Sequence, residues 1–419
     1  MTANYIEQLS RQQLARLGRE YMAAAQFNSR CGYAALRMGH GDESYKTVAI
    51  DNWMAASPVY TRRMQRAMGF AGDDDVATIF KGLQLECGFS HQYFNVHFEV
   101  LSADRGRFWL ESCGALLETE PRGDEAVKVM CHDVEDPTFD ATAIATNPRA
   151  RVRPVHRPPR RPADRTPHCE WNVFIDAEAD PLAEPEVARQ LAMSHLANME
   201  INRPGGAAEP GGMADYSGEV FEQLHLEQLS HDALVVVCQE LALQVNLLVK
   251  GMTMVIEQLY GRDAAQKVAE FQMIGSGWVT AERLARWAGF DAGGIEAVLA
   301  VLRVHPLFQP QAYQPFAVEH QDAGRLSLRL LPGIADNDHT QLGWQTLLQG
   351  GFGAGLEAIT RGVDPRAVVS RDAGDPHSWH IQLADSDASG ELPLSVQIAK
   401  GTVLYQKVFD DHLPLLQVQ

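Results

Sequence analysis

The sequence predicts an α+β protein built from two related copies, each with N-terminal helices followed by an antiparallel sheet. Short motifs recur in the same order about 220 residues apart: IEQLS at residues 6–10 returns as LEQLS at 226–230, and RxxRxxGF at 63–70 returns at 283–290. In each copy a helical periodicity precedes strand-like alternation, which is the order of an α+β fold rather than of a doubly wound fold. Matches that keep their order across both halves indicate a tandem duplication.

The individual elements follow from these motifs in chain order. Each LS pair precedes a long helical pattern, and a later amphipathic helix ends at the GF pair. Two strand-like runs follow at residues 93–101 and 108–112, joined by the turn DRGR at 104–107, which the second copy matches with DAGR at 322–325. Two further pairs of motifs are matched: NPRA at 147–150 with DPRA at 364–367, and PHCEW at 167–171 with PHSW at 376–379.

The domain boundaries are expected where the composition changes. The first copy is predicted at residues 1–178, a helix with a Gly- and Pro-rich linker at 179–218, and the second copy at 219–419. The linker helix is expected at about 185–199. A strand-like run at 394–404 predicts a C-terminal tail strand that pairs onto a sheet.

Composition and charge exclude several classes of partner. With 36 basic and 54 acidic residues the formal net charge is −18, so the chain repels phosphate backbones and anionic lipid. We therefore expect no nucleic acid and no membrane among its partners. A homodimer is the expected assembly, and a small anionic substrate is expected only because of a local arginine-rich segment. The most apolar stretch, residues 234–256, is interrupted by five polar residues and is expected to be a buried helix. The N-terminus shows no secretory signal, and six cysteines outside any Cys-rich module point to the reducing cytoplasm.

Four residues of the first copy form a candidate metal site. Three thiolates and one imidazole, from Cys113, Cys131, Cys169 and His156, are a ligand set that suits tetrahedral zinc, and less often an iron–sulfur cluster. The spacings are long and contain no Cys-x-x-Cys motif, so the fold must bring the four side chains together. Inert packing of buried cysteines and a catalytic thiol without metal are the alternatives.

The duplication supplies an internal control for these cysteines. In the sequence alignment of the two copies Cys113 matches Leu331 and Cys169 matches Ser378, and the chain has no cysteine after Cys238. Loss of the whole set is expected if one copy kept a site and the other lost it. It would be a coincidence if the cysteines only packed a shared core.

Polar residues beside the cysteines are candidates for the chemistry. His132 and Asp133 follow Cys131, and His168 precedes Cys169, so all three are predicted to transfer protons or to orient a ligand. The alternative for each is an ordinary polar surface residue.

An arginine-rich segment lies close to these residues in the sequence. Seven arginines occur between residues 149 and 165 beside a single acid, and Arg153, Arg157 and Arg160 are predicted to bind an anionic substrate. Four prolines in the segment predict a stiff extended loop over the site. Salt bridges to the acidic surface are the alternative interpretation of the arginines.

The first copy also resembles a known family in its short motifs. Cys113, followed by CHD at 131–133, PP at 158–159 and CEW at 169–171, is similar to the pattern of the L-2-amino-thiazoline-4-carboxylic acid hydrolase-like family. The resemblance covers roughly residues 6–176. It implies helices followed by a strand that ends in a cysteine, and hydrolysis of a cyclic, amidine-like ring that bears a carboxylate. Some relatives have cysteine in the Pro-Pro element where this chain offers His156, so His156 is a ligand only by inference.

These observations predict a metal-dependent hydrolase or lyase in the first copy that acts on a small carboxylate-bearing or acyl substrate. A non-catalytic binding or scaffold protein with a structural zinc is the first alternative. An enzyme with a cysteine nucleophile is the second.

Overall fold

The computed structural model of the protein describes residues 4–205, 209–322, 324–387 and 390–409, with side chains to residue 406. It contains two four-stranded antiparallel sheets, one in each copy. The helices of the first copy and its linker are α1 Arg11–His40, α2 Asp42–Ala67, α3 Val76–Gln84, α4 Gly114–Thr119, α5 Asp124–Lys128, α6 Glu135–Ala143, α7 Glu186–Ala192 and α8 His195–Asn198. Those of the second copy are α9 His231–Tyr260, α10 Arg262–Trp287, α11 Ile295–Val304, α12 Trp344–Gln349, α13 Gly353–Val363, α14 Leu394–Lys400 and α15 Val403–Phe409.

The two sheets have the same topology, which confirms the predicted α+β class with two similar copies. The strands of the first sheet are β1 Phe94–Ser102, β2 Arg105–Cys113, β3 Ala150–His156 and β4 Cys169–Ile175, and those of the second are β5 Phe316–Asp322, β6 Arg325–Leu330, β7 Ala367–Arg371 and β8 Ser378–Leu383. The first sheet has the strand order β1-β2-β4-β3, and the second has the order β5-β6-β8-β7. The long helices also match, since α1 and α9 each have 30 residues and α2 and α10 each have 26.

The matched sequence motifs start and stop these helices. Ser10 caps α1 by accepting a hydrogen bond from the backbone N–H of Gln13, and Ser230 caps α9 in the same way. Gly41 and Gly261 join the two long helices of each copy with φ angles of 81° and 87°. A side chain would be strained in this conformation, so glycine is favoured at both junctions.

The long helices of the two copies pack together in the centre of the molecule. α1 packs on α9 and α10, and α2 packs on α9, so one hydrophobic core contains residues of both copies. Two buried ion pairs cross between the copies: Arg63 pairs with Glu240, and Arg283 pairs with Glu20. Each member lies 220 residues from its counterpart in the other pair, so the contacts are reciprocal, as across a two-fold axis.

The most apolar segment is the core helix α9, as the sequence predicts. It is the one helix of the described residues that is long and apolar enough to cross a membrane, but 94% of its most apolar window is buried inside the protein. This burial is expected for a helix that packs against α1, α2 and α10.

The predicted C-terminal tail strand is wrong, because residues 394–400 form the helix α14. Pro393 stands at its N-cap, and the helix packs on α10 and α1. Helix α7 of the linker packs on α2 and α9 in the equivalent way. The expected linker helix is divided into α7 and α8, with Ser194 capping the second. Residues 206–208 of the Gly- and Pro-rich linker lie outside the described residues. Residues 388–389 of the segment before α14 lie outside them as well.

Candidate active site

A cavity of about 320 Å³ lies in the first copy, between the long helices and the inner face of the first sheet. This volume is at the lower end of the range for small-molecule sites. Aromatic side chains make up much of its wall: Trp53, Phe89, Phe94, Phe139 and Trp171. The second copy contributes Ile398 of α14 and Thr402, so the cavity is completed by both copies.

Glu135 lies in the wall of this cavity, and the pKa of its carboxyl group is strongly raised. Desolvation raises its pKa to about 8, although the charge of Arg157 opposes the shift. The residue keeps some accessible surface because it lines the cavity. A carboxyl group with a pKa near neutrality can donate and accept a proton at physiological pH, which is a property of catalytic acids.

An irregular helical turn places Glu135 in the wall. Residues Val129–Val134 form a π-helical turn that leads directly into α6. Pro137 lies in the first turn of α6 and has no N–H to donate to the carbonyl of Asp133, which favours a wider turn before it. Cys131 lies in the same turn, so the sequence CHDVEDP brings a cysteine and the cavity carboxyl close together.

Glu86 is a second buried carboxyl group in the cavity wall. Its side chain is 5% exposed, and burial raises its pKa well above the ordinary value. Within the described ranges its Oε2 atom has no hydrogen-bond partner. A buried polar atom without a partner is costly, so this oxygen is suited to bind a donor group of a ligand in the cavity.

A half-buried cation in the cavity wall, Arg30, is fully paired. Arg30 donates to Glu118 Oε2 at 3.0 Å, to the Tyr93 hydroxyl at 2.7 Å and to Gln26 Oε1 at 2.9 Å. The second copy has a similar arrangement around Lys250, whose Nζ lies 3.4 Å from Asp338 Oδ2, with Tyr313 donating to the same carboxylate. We interpret Arg30 as structural because both copies keep a paired cation at this position, half-buried in the first copy and buried in the second.

The structure brings the three predicted cysteines together. Cys113 ends β2 and caps α4, its Sγ accepting from the N–H of Leu116 at 3.3 Å. Cys169 begins β4, the neighbour of β2, and also lines the cavity. Cys131 is close enough for the charges of Cys113, Cys169 and Glu135 to affect its pKa. The three thiols therefore belong to one buried apolar cluster, and their convergence on a single metal site stays a prediction.

Their environment keeps the three groups as neutral thiols. All three are buried in one apolar cluster, and burial raises their pKa values, that of Cys113 to about 12. A nucleophilic thiolate needs a lowered pKa, so this environment does not favour the cysteine-nucleophile alternative.

Alkylation tests that conclusion. We expect iodoacetamide at pH 7.5 to react with each of the six buried cysteines of the native protein about a thousandfold or more slowly than with free cysteine. The reason is that the thiolate fraction of each cysteine is small. Protein unfolded in urea is the control and should react at all six. Rapid labelling of one cysteine in the native state would contradict the prediction and favour a nucleophile.

The structure does not bring His156 to the cysteines. Its Nε2 atom lies 3.0 Å from the carbonyl oxygen of Pro167, and its Nδ1 lies 3.9 Å from Glu170 Oε2. Glu170 alternates along β4 with the core-facing Cys169 and Trp171, so it occupies the other face of the sheet.

Within the described part of the chain, no three Cys, His, Asp or Glu side chains are grouped so that they could hold a metal ion. Zinc, or an iron–sulfur cluster, at the cysteines stays a prediction, and no catalytic step is derived through it. Elemental analysis of freshly reduced protein, native and with Cys131→Ser, is its measurement.

The predicted proton-transfer residues all bond to other parts of the protein and do not line the cavity. His132 Nε2 lies 2.7 Å from the carbonyl oxygen of Pro158, and Asp133 forms an ion pair with Lys46. His168 Nδ1 accepts the backbone N–H of Cys113 at 3.0 Å. These contacts hold the π-helical turn and the start of β4 in place.

The predicted substrate-binding arginines are engaged in ion pairs, as their alternative interpretation states. Arg153 pairs with Asp140, Arg157 with Asp136, and Arg160 forms a two-pronged pair with Glu120 at 2.7 and 2.8 Å. Arg153 lies on the edge strand β3, whose pairing is irregular between Pro154 and His156, and the remaining prolines of the segment lie in the loop between β3 and β4. None of the three lines the cavity.

The strand register also corrects the matched positions in the second copy. Trp171 pairs with Phe108 as Trp379 pairs with Leu328, so Cys169 corresponds to His377 rather than to Ser378. Cys113 corresponds to Gly333 rather than to Leu331, since each caps the helix after its strand. The cysteine set is absent at these positions as well.

The cavity carboxyls are likewise specific to the first copy. Counting back from the matched turns at Asn147 and Asp364 places Phe352 at the position of Glu135. His305 replaces Glu86 and uses its Nδ1 to cap the following turn. The first copy alone therefore combines these two acids with the cysteines.

Comparison of the chain with protein families, curated proteins and solved structures finds no match. The resemblance to the L-2-amino-thiazoline-4-carboxylic acid hydrolase-like family therefore stays a prediction that rests on motifs.

Proposed function

We propose that the first copy is an enzyme, a hydrolase or lyase, that binds a small carboxylate-bearing or acyl substrate in the cavity and uses Glu135 as its general acid. The observation that carries this proposal is a carboxyl group with a pKa of about 8 in the wall of a half-open, partly aromatic cavity. Buried groups with shifted pKa values are also found in purely structural roles, but here the group faces a cavity of ligand size.

The chain supplies three contributions to such a reaction. Protonated Glu135 donates its proton to a leaving group or to a carbonyl or imine atom of the substrate, and recovers a proton as the carboxylate. Protonated Glu86, whose Oε2 has no partner among the described residues, fixes a polar group of the substrate. The aromatic wall and α14 limit bulk water around the substrate, which strengthens both interactions, and in hydrolysis one water molecule admitted with the substrate is the nucleophile.

The cysteines support a cytoplasmic location for the proposed enzyme. All six cysteines are free and buried, as expected in a reducing compartment. We place the protein in the cytoplasm on this basis.

The test is turnover of L-2-amino-thiazoline-4-carboxylate, followed by NMR, together with a panel of small cyclic amidines and acyl esters. We expect slow hydrolysis of at least one probe, and a loss of about 10²- to 10⁴-fold in kcat for Glu135→Gln. The matched control is Glu125→Gln, the same change at an exposed residue outside the cavity, which should keep full activity.

Two results would overturn the proposal. Turnover that Glu135→Gln leaves unchanged would remove Glu135 as the acid. Saturable binding of the probes with no turnover would instead support the non-catalytic binding protein.

A further inference from the structure

Three arginines line the cavity, and they differ in how well their charges are neutralised. Arg30 is half-buried and is neutralised by Glu118. Arg37 and Arg122 also line the cavity, at the side where α1 approaches the turn between α4 and α5. Their charges lie close together, since burial first and then the charge of Arg122 lower the pKa of Arg37.

Arg37 is held in place but keeps free hydrogen-bonding capacity. Its guanidinium stacks on the ring of Tyr45, 3.8 Å from the centroid. Its Nε lies 3.3 Å from Asp42 Oδ1, but the buried N–H has no hydrogen-bond partner in the described part of the molecule. Asp42 itself is 83% exposed, so water screens most of this ion pair. The stacked guanidinium is thus preorganised, and its donors are available.

Arg122 has no carboxylate partner within the described ranges, although acidic residues surround it in sequence. Each neighbouring carboxylate is already engaged: Glu118 by Arg30, Glu120 by Arg160, Asp124 by Arg161 and Glu125 by Lys128. The surrounding acids therefore leave the charge of Arg122 uncompensated at the edge of the cavity.

The net charge around Arg37 and Arg122 determines which ligand charge would balance it. Arg37 and Arg122 contribute two positive charges and Asp42 one negative charge, which leaves one positive charge for a ligand to balance. A monoanion such as a carboxylate balances it, whereas a phosphate dianion would exceed it. Guanidinium groups also match the two oxygens of a carboxylate in geometry.

The second copy shows that this cluster is not required by the fold. The equal lengths of α1 and α9 place Glu257 at the position of Arg37 and Arg262 at the position of Asp42, so the second copy keeps this ion pair with its charges exchanged. The fold therefore accepts either sign of charge at this position, and the positive charge of Arg37 beside the cavity is specific to the first copy.

We propose that Arg37 and Arg122 form an anion subsite that binds the carboxylate of a small monoanionic ligand, while a ring-sized apolar body of that ligand occupies the aromatic part of the cavity. The inference rests on the proposed function, because it assigns part of the same cavity. It replaces Arg153, Arg157 and Arg160 as the groups that select an anionic substrate.

The test compares two probes of equal shape, 2-naphthoate and its neutral amide 2-naphthamide, by isothermal titration calorimetry at pH 7.5. We expect the native protein to bind the carboxylate about tenfold more tightly than the amide. Arg122→Gln, at an exposed position where folding is not at risk, should remove most of this preference and leave amide binding unchanged. Arg37→Met, which keeps the length of the side chain over Tyr45, should do the same.

The matched control is Arg161→Gln, which removes the same charge from a neighbouring exposed residue. It should keep the preference for the carboxylate. Equal affinity of the native protein for both probes, or an equal loss in Arg161→Gln, would overturn the anion subsite and leave the cavity as a binding site. No binding of either probe at millimolar concentration would overturn the proposed function together with the subsite.

Discussion

Arg63→Met is expected to lower the free energy of unfolding by about 3–5 kcal/mol, because it leaves the carboxylate of Glu240 buried without its partner. The two side chains are 7% and 4% exposed and form a two-pronged pair at 2.8 and 2.9 Å. Arg63 also donates to the carbonyl oxygens of Ala197 and Met199, so these acceptors lose a donor as well. The measurement is the urea midpoint of unfolding, followed by circular dichroism.

Two comparisons make this prediction specific. The double variant Arg63→Met with Glu240→Leu should recover much of the loss, because it removes both buried charges together. Arg189→Met is the control, since Arg189 and Glu186 form an exposed pair within α7 that is worth less than about 0.5 kcal/mol. A loss below about 1 kcal/mol for Arg63→Met would show that Glu240 reaches water or takes up a proton at little cost.

The ion pair of Arg283 with Glu20 repeats, between the same two copies, the contact of Arg63 with Glu240. In a two-fold dimer each contact occurs twice, once from each subunit, and the two ion pairs of this chain repeat in that way between its own copies. The helical surface that a single copy would offer to a second subunit is therefore covered within one chain. A homodimer of this protein would need a different surface.

The fold was largely predictable because its signals are local and occur twice. The serine caps, the Gly-Phe helix ends and the hairpin turns all lie in short motifs, and their repetition separates signal from chance. The tail strand failed where the signal was ambiguous. Residues 394–404 contain enough β-branched residues to suggest a strand, but contacts with α10 and α1 favour a helix there.

The site was predictable only in part, for a physical reason. Cysteines are rare, so Cys113, Cys131 and Cys169 stand out in the sequence because the second copy has no cysteine at the matched positions. Glu86, Glu135 and Arg37 belong to common residue types whose importance comes from burial, which depends on the tertiary structure. The one available signal was comparison of the copies, since Glu135 and Arg37 are replaced by Phe352 and Glu257.

Glu135→Gln is expected to make the protein more stable at pH 8, although it should abolish proton transfer. Folding raises the pKa of Glu135 from an ordinary value of about 4.5 to about 8. Between these two values the folded protein keeps a proton that the unfolded chain has released, so rising pH favours unfolding, by at most about 1.4 kcal/mol per pH unit. Above pH 8 both states are ionised and the penalty is constant.

Glutamine cannot ionise, so the variant escapes this penalty. The difference in unfolding free energy between Glu135→Gln and the native protein should be small near pH 4.5, grow as the pH rises and level off above pH 8. Urea titrations at pH 5, 6, 7 and 8 measure this difference, with Glu125→Gln as the exposed control that should show no such trend. A flat difference, or a variant less stable than the native protein at pH 8, would mean that Glu135 is ionised at ordinary pH and unsuited to act as an acid. The expected trend would show instead that the fold bears a cost for keeping a neutral carboxyl group in the cavity, as enzymes do at their active sites.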